Sequence, residues 1–137
     1  MDSTSSHHVP PGFENELNNV AIDFDGVIHN FDKGWHDGTC YGEPLPGSIN
    51  AIKSLSKKYN IIIFTAKAKK NRPLVNGKTG VELVKEWLEK YGLIDFVSEI
   101  TSEKPRAKIY IDDNGYRFES WEKTLNDIEE ILWKILD

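Results

Sequence analysis

The sequence holds one cysteine, Cys40, among 137 residues. An intrachain disulfide is therefore excluded, and there is no cysteine cluster to hold zinc. Long apolar runs are missing too, and none approaches the ~20 residues that a membrane-spanning helix needs. The N-terminus lacks the apolar core of an export signal, so the expected compartment is the cytosol. Basic residues are outnumbered. Seventeen Lys and Arg against 22 Asp and Glu leave a formal charge of −5, which argues against a dedicated nucleic-acid binder. No internal repeat and no second domain are visible. An apolar share of 39% and a charged share of 28% suit a small soluble domain with one core.

What is present centres on Val20-Ala21-Ile22-Asp23-Phe24-Asp25-Gly26-Val27. The β-branched run reads as a buried strand. It ends in two carboxylates one residue apart, a costly arrangement inside a core. At a strand's carboxyl end the cost falls, because open α/β sheets keep their ligand crevice there. Alternation points Asp23 and Asp25 the same way, and the pair repels unless a cation or a shared proton lies between. Oxygen ligands in that position suit a hard cation such as Mg²⁺. The bland alternative is an Asp-rich turn with capping duty.

Residues 1–15 are polar and read as a tail, with the His7-His8 pair belonging to it rather than to a metal site. The expected domain spans 16–137. From Ile28 to Pro46 no periodicity is visible, so a long functional loop with a small hairpin is expected. Two readings stand for its Trp35 and Tyr41: contact with substrate, or packing of the loop onto the domain. Ser48 reads as the N-cap of a helix to Tyr59, with Ile49, Ile52, Leu55 and Tyr59 on its apolar face. Ile61 to Phe64 is a second buried strand with Thr65 at its end. Thr79-Gly80-Val81-Glu82 has capping-box spacing and opens a helix that Gly92 ends, with Val81, Val84, Leu88 and Tyr91 facing the core. A short third strand is expected near 96–100 and a fourth over Lys108–Ile111. Trp121, Leu125, Ile128, Leu132 and Ile135 mark a last helix docked on the sheet. Strands alternating with helices predict a mostly parallel sheet.

In such a sheet the strand ends share one rim. That gathers Asp23, Asp25, Thr65, Asp112 and Asp113, with a Lys after the third strand. A carboxylate cluster with one hydroxyl and one ammonium suits phosphoryl transfer. The cations neutralise phosphoryl oxygens, and a carboxylate can attack phosphorus.

These residues resemble the haloacid dehalogenase (HAD) superfamily. Ile22-Asp23-Phe24-Asp25-Gly26-Val27 matches its first motif, and Ile61 to Thr65 its second. Lys104 matches the third, with Lys108 competing for the role and Lys67 another candidate cation near Thr65. Tyr110-Ile111-Asp112-Asp113 matches the fourth. The resemblance implies a three-layer Rossmann-like α/β domain and a Mg²⁺-dependent phosphomonoester hydrolase. In it Asp23 would be the nucleophile and Asp25 the general acid and base. Thr65 and Lys104 would complete the catalytic set. The metal would be held by Asp23, the Asp25 backbone carbonyl and Asp112, with Asp113 close. Gly26, Ala66, Lys67, Trp35 and His36 are the expected substrate-binding positions around these motifs.

Neither insertion point of the family's cap domains has room for a globular cap here. A capless, open site favours a large phosphorylated substrate, or a homo-oligomer whose neighbour acts as lid. Lys67, Lys69, Lys70 and Arg72 follow Thr65 directly. They read either as a grip for a polyanion, such as a nucleic-acid end or phosphosugar, or as a solvated basic loop. Two other functions compete: a catalytically silent binding module, and a phospho-accepting receiver. The intact acidic set argues against the first, and Thr65 preceding Asp112 argues against the second.

Overall fold

The computed structural model describes residues 18–103, 105, 107, 109–112 and 116–136. The expected tail, Lys104, Lys108 and Asp113 lie outside the described residues.

The buried runs form strands as their composition demands. β1 (Asn19–Asp23) lies at the centre of the sheet, with Val20, Ala21 and Ile22 fully buried. A strand covered on both faces needs a continuous apolar run rather than alternation, and this segment supplies one. β2 (Asn60–Phe64), β3 (Glu99–Thr101), β4 (Ile109–Asp112) and the two-residue β5 (Tyr116–Arg117) complete, among the described residues, five strands in the order β3-β2-β1-β4-β5. These five strands pair in parallel throughout. The architecture is a Rossmann-like α/β sheet. β3 starts three residues later than expected because Ile94–Phe96 coil into a 3₁₀ turn. β5 has no periodicity to betray it at two residues.

The helices are α1 (Ser48–Leu55), α2 (Gly80–Lys90) and α3 (Trp121–Leu136). α1 corrects the expected boundaries at both ends. Its N-cap is Gly47, with no side-chain cap, and Ser48 is the first helical residue with a buried hydroxyl. The chain enters through a turn that bonds Ser48 N–H to the Leu45 carbonyl, so no extended Ser precedes the helix. It ends at Leu55, where the amides of Lys58 and Tyr59 both fold back to the Leu55 carbonyl. α2 begins with the expected capping box. Thr79 Oγ1 accepts from Glu82 N–H at 3.1 Å, and Glu82 Oε1 accepts from Thr79 N–H at 2.9 Å. Its core face is Val84, Trp87 and Leu88. Val81 is exposed instead, because the first turn of α2 borders an open groove shared with Lys69, Lys70 and Asn71. On α3, Trp121 and Ile128 are buried and Leu125 is half-buried against the core. The Trp121 indole donates to the Val27 carbonyl at 2.9 Å, which fixes the turn after β1.

The loop after β1 is closed at its base. Asn30 N–H donates to the Glu43 carbonyl and Leu45 N–H to the Ile28 carbonyl, at 2.9 and 2.8 Å. The expected hairpin is reduced to one antiparallel bridge, His29 with Pro44. Among the described residues no helix is long and apolar enough to cross a membrane.

Candidate active site at the carboxyl rim

Parallel register decides which residues meet. Ile22 pairs with Ile111, so one step on Asp23 and Asp112 stand on adjacent strands, on one face of the sheet. Strand spacing sets their backbones about 4.8 Å apart. Asp23 also pairs with Phe64, which puts Thr65 one residue beyond the same level. The rim thus gathers Asp23, Thr65 and Asp112. Asp112 and Thr65 are buried, and Asp23 is half-buried. Asp23 Oδ1 accepts from the Phe24 amide at 2.8 Å. Thr65 N–H donates to the Thr101 carbonyl, and Thr65 Oγ1 accepts from Lys67 N–H at 3.2 Å to cap the 3₁₀ turn Ala66–Ala68. The cap uses a lone pair of the hydroxyl and leaves its proton to donate.

Asp25 sits just past the strand, where Gly26 turns the chain with a φ of 82°. Its side chain is 18% exposed, and both oxygens are held. Oδ1 meets His29 Nδ1 at 2.9 Å, and Oδ2 accepts from Lys67 Nζ at 3.0 Å. Both carboxylate oxygens already face a donor, and the metal contact expected of Asp25 is that of its backbone carbonyl.

Lys67 departs from both readings of the basic loop. It is 1% exposed, so it is neither solvated nor presented at the surface. Its ammonium lies 4.7 Å from the ring centres of Phe31 and Trp35, where the aromatic faces replace water. Gly80, the first residue of α2, lies so close that a Cβ there would overlap the Lys67 carbonyl oxygen. Lys69 and Lys70 are exposed. Arg72 donates from Nε to the Ala66 carbonyl at 2.8 Å and packs its guanidinium 4.5 Å from the Trp35 ring. Trp35 is thus stacked on two cations of the chain itself while 42% exposed. His36 is exposed, with its ring edge-on to Tyr41 at 5.6 Å. A small cavity of about 110 Å³ opens between Trp35, Lys67, Arg72 and Val75.

Sequence reasoning missed His29. It is fully buried, stacks parallel on Phe24 at 5.0 Å, and meets the edges of Tyr41 and Trp87. Its spacing four residues after Asp25, ahead of an aromatic-rich loop, was the available signal. Cys40, half-buried nearby, has its thiol pushed up to about 12, chiefly by burial.

The donor chemistry tests whether Mg²⁺ fits. Among the described residues no group of three His, Cys, Asp or Glu side chains forms a metal cage. Two carboxylates on adjacent strands and a nearby backbone carbonyl form a sparse, all-oxygen set. Mg²⁺ keeps several waters and needs few protein ligands, so the set fits it. Comparison with protein-family models, with curated proteins and with solved structures gives no match for this chain.

Proposed function

We propose that this protein is a small, capless HAD-type phosphatase that hydrolyses phosphomonoesters through an aspartyl-phosphate. The observation that carries this reading is the shared register of Asp23 and Asp112, with Thr65 one residue past the same level. Residues far apart in the chain meet where a phosphate and a cation would sit together. Asp23, Asp112 and the Asp25 carbonyl would hold Mg²⁺, which supplies charge neutralisation for the phosphoryl oxygens when bound.

The side chains divide the remaining work. An Asp23 oxygen attacks phosphorus, the ester P–O bond breaks, and the leaving oxygen takes a proton from Asp25. Water then attacks the aspartyl-phosphate and gives a proton to Asp25. The Asp23–phosphorus bond breaks, releasing inorganic phosphate and restoring the carboxylate. Thr65 donates its hydroxyl proton to a phosphoryl oxygen. Before the proton moves, one Asp25 oxygen faces His29 and the other accepts from Lys67. For the acid form Lys67 can lean on the Phe31 and Trp35 faces it already touches. The loop 28–46 is tied at its base rather than expanded into a lid, which supports an open site and a substrate large enough to shield the chemistry itself.

The test uses the full chain with an aryl phosphate, nucleotides, phosphosugars and end-phosphorylated oligonucleotides. Phosphate release that requires Mg²⁺ and vanishes in Asp23→Asn is expected. An inactive wild type across that panel, or Asp23→Asn with undiminished release, refutes the assignment.

A further inference from the structure

We infer that His29 is the positioning residue of Asp25, and that the loop 28–46 sets its tautomer. The Gly42 amide lies 2.8 Å from His29 Nε2, and a backbone N–H can only donate. Nε2 is therefore the bare acceptor and Nδ1 carries the proton. That proton points at Asp25 Oδ1, 2.9 Å away. The ring has no freedom to choose otherwise. It is fully buried between Phe24, Tyr41 and Trp87, where no water can replace either partner.

Gly42 is held in turn. Its carbonyl accepts from the Trp87 indole N–H at 2.8 Å, and Trp87 is anchored in the core face of α2. A side chain at position 42 would overlap the Asn30 carbonyl oxygen, so the approach requires glycine. The chain of contacts runs Trp87 to Gly42 to His29 to Asp25, from a core helix through the loop to the rim. Lys67 holds the other Asp25 oxygen from the carboxyl end of the neighbouring strand β2. With one oxygen fixed by each donor, the carboxylate has one rotamer, and the loop's folding is transmitted to it directly. The catalytic part of this inference rests on the acid–base role of Asp25 proposed above; the tautomer does not.

Two measurements test it. Long-range nitrogen–proton correlation on the labelled full chain at neutral pH should show His29 with a pyrrole-type Nδ1 and a pyridine-type Nε2. An Nε2–H tautomer or an imidazolium overturns the inference. In kinetics, His29→Leu should lower kcat on the order of tenfold to a hundredfold with KM nearly unchanged, the signature of a misplaced reacting group. His29→Asn, whose amide nitrogen falls near the Nδ1 position, should recover most of the loss. A folded His29→Leu chain with wild-type kcat also overturns it. If the wild type hydrolyses nothing on the phosphate panel, the proposed function falls, and the nitrogen spectrum decides the His29 assignment alone.

Discussion

Replacing Lys67 with methionine removes one charge and keeps the length and most of the packing of the side chain. Three effects compete. The ammonium's hydrogen bond to Asp25 Oδ2 is lost, at about 1.5–3 kcal/mol for a bond to a charged group. The contacts with the Phe31 and Trp35 faces lose their electrostatic part, about 0.5–2 kcal/mol. Against these, a lysine that is 1% exposed no longer has to be stripped of water, a recovery of several kcal/mol. Removing one member of a fully buried pair costs about 3–5 kcal/mol, because the survivor is stranded. Asp25 is not fully stranded. It keeps the His29 Nδ1–H, and 18% of its side chain remains in contact with solvent. The net cost should therefore fall below that range, near 2 kcal/mol, a shift of about 1 M in a urea midpoint. Asp25→Asn alone should also destabilise, since it leaves the Lys67 charge buried. The double variant strands no charge, and it should be more stable than the sum of the singles by at least about 1 kcal/mol. Urea unfolding followed by tryptophan fluorescence on all four chains gives the cycle. Strict additivity, or a Lys67→Met chain more stable than wild type, would refute the view that Lys67 is held in place by its pairing with Asp25.

Two further outcomes concern Cys40 beside the site and the capping box of α2. Burial raises the Cys40 thiol from 9.0 to about 12, so the fold favours the protonated form. That contribution is complete below pH 9 and is lost as pH climbs toward 12. The native chain should resist alkylation by iodoacetamide at mildly alkaline pH and react promptly in urea; equal rates would contradict the burial. The Thr79 amide and hydroxyl hold the Glu82 carboxyl below its usual 4.5. A depressed carboxylate stabilises the fold above its unfolded value and stops doing so as pH falls through its folded one. Glu82→Gln should therefore be less stable than wild type at neutral pH, with the gap closing below pH 4.5. A gap independent of pH would mean that the capping box does not act through the ionised carboxylate.

The parts of this fold that were legible beforehand are those encoded locally. β1 and β2 are short β-branched runs with no polar interruption, and burial on both faces leaves them no other reading. The capping box of α2 is a four-residue signal, and Thr79 and Glu82 form it as spaced. What failed was set from outside the segment. Ser48 has the chemistry of an N-cap, but the turn from Leu45 placed Gly47 there. Val81 has the right spacing for a core face, but the first turn of α2 borders an open groove with Lys69, Lys70 and Asn71, and the buried face starts at Val84 and Trp87.

The rim shows the same division. Asp23, Asp25, Thr65 and Asp112 could be named because each ends or just follows an apolar run, and a parallel sheet sends all such ends to one edge. Lys67 could not. Its neighbours Lys69, Lys70 and Arg72 make the segment look like a solvated basic loop, and nothing within it predicts burial. What buries Lys67 lies elsewhere: Phe31 and Trp35 above the ammonium, Asp25 at its tip, and the backbone of Gly80 against its carbonyl. The aromatics of the loop 28–46 were visible as a group, yet their target was not. A cation–aromatic pairing leaves no periodic trace and can form with any of four adjacent basic residues. The choice among them falls to geometry. Thr65 caps the turn that begins at Ala66, and the second residue of that turn is the one aimed inward. The residue that caps the turn at the rim therefore also selects which cation reaches Asp25.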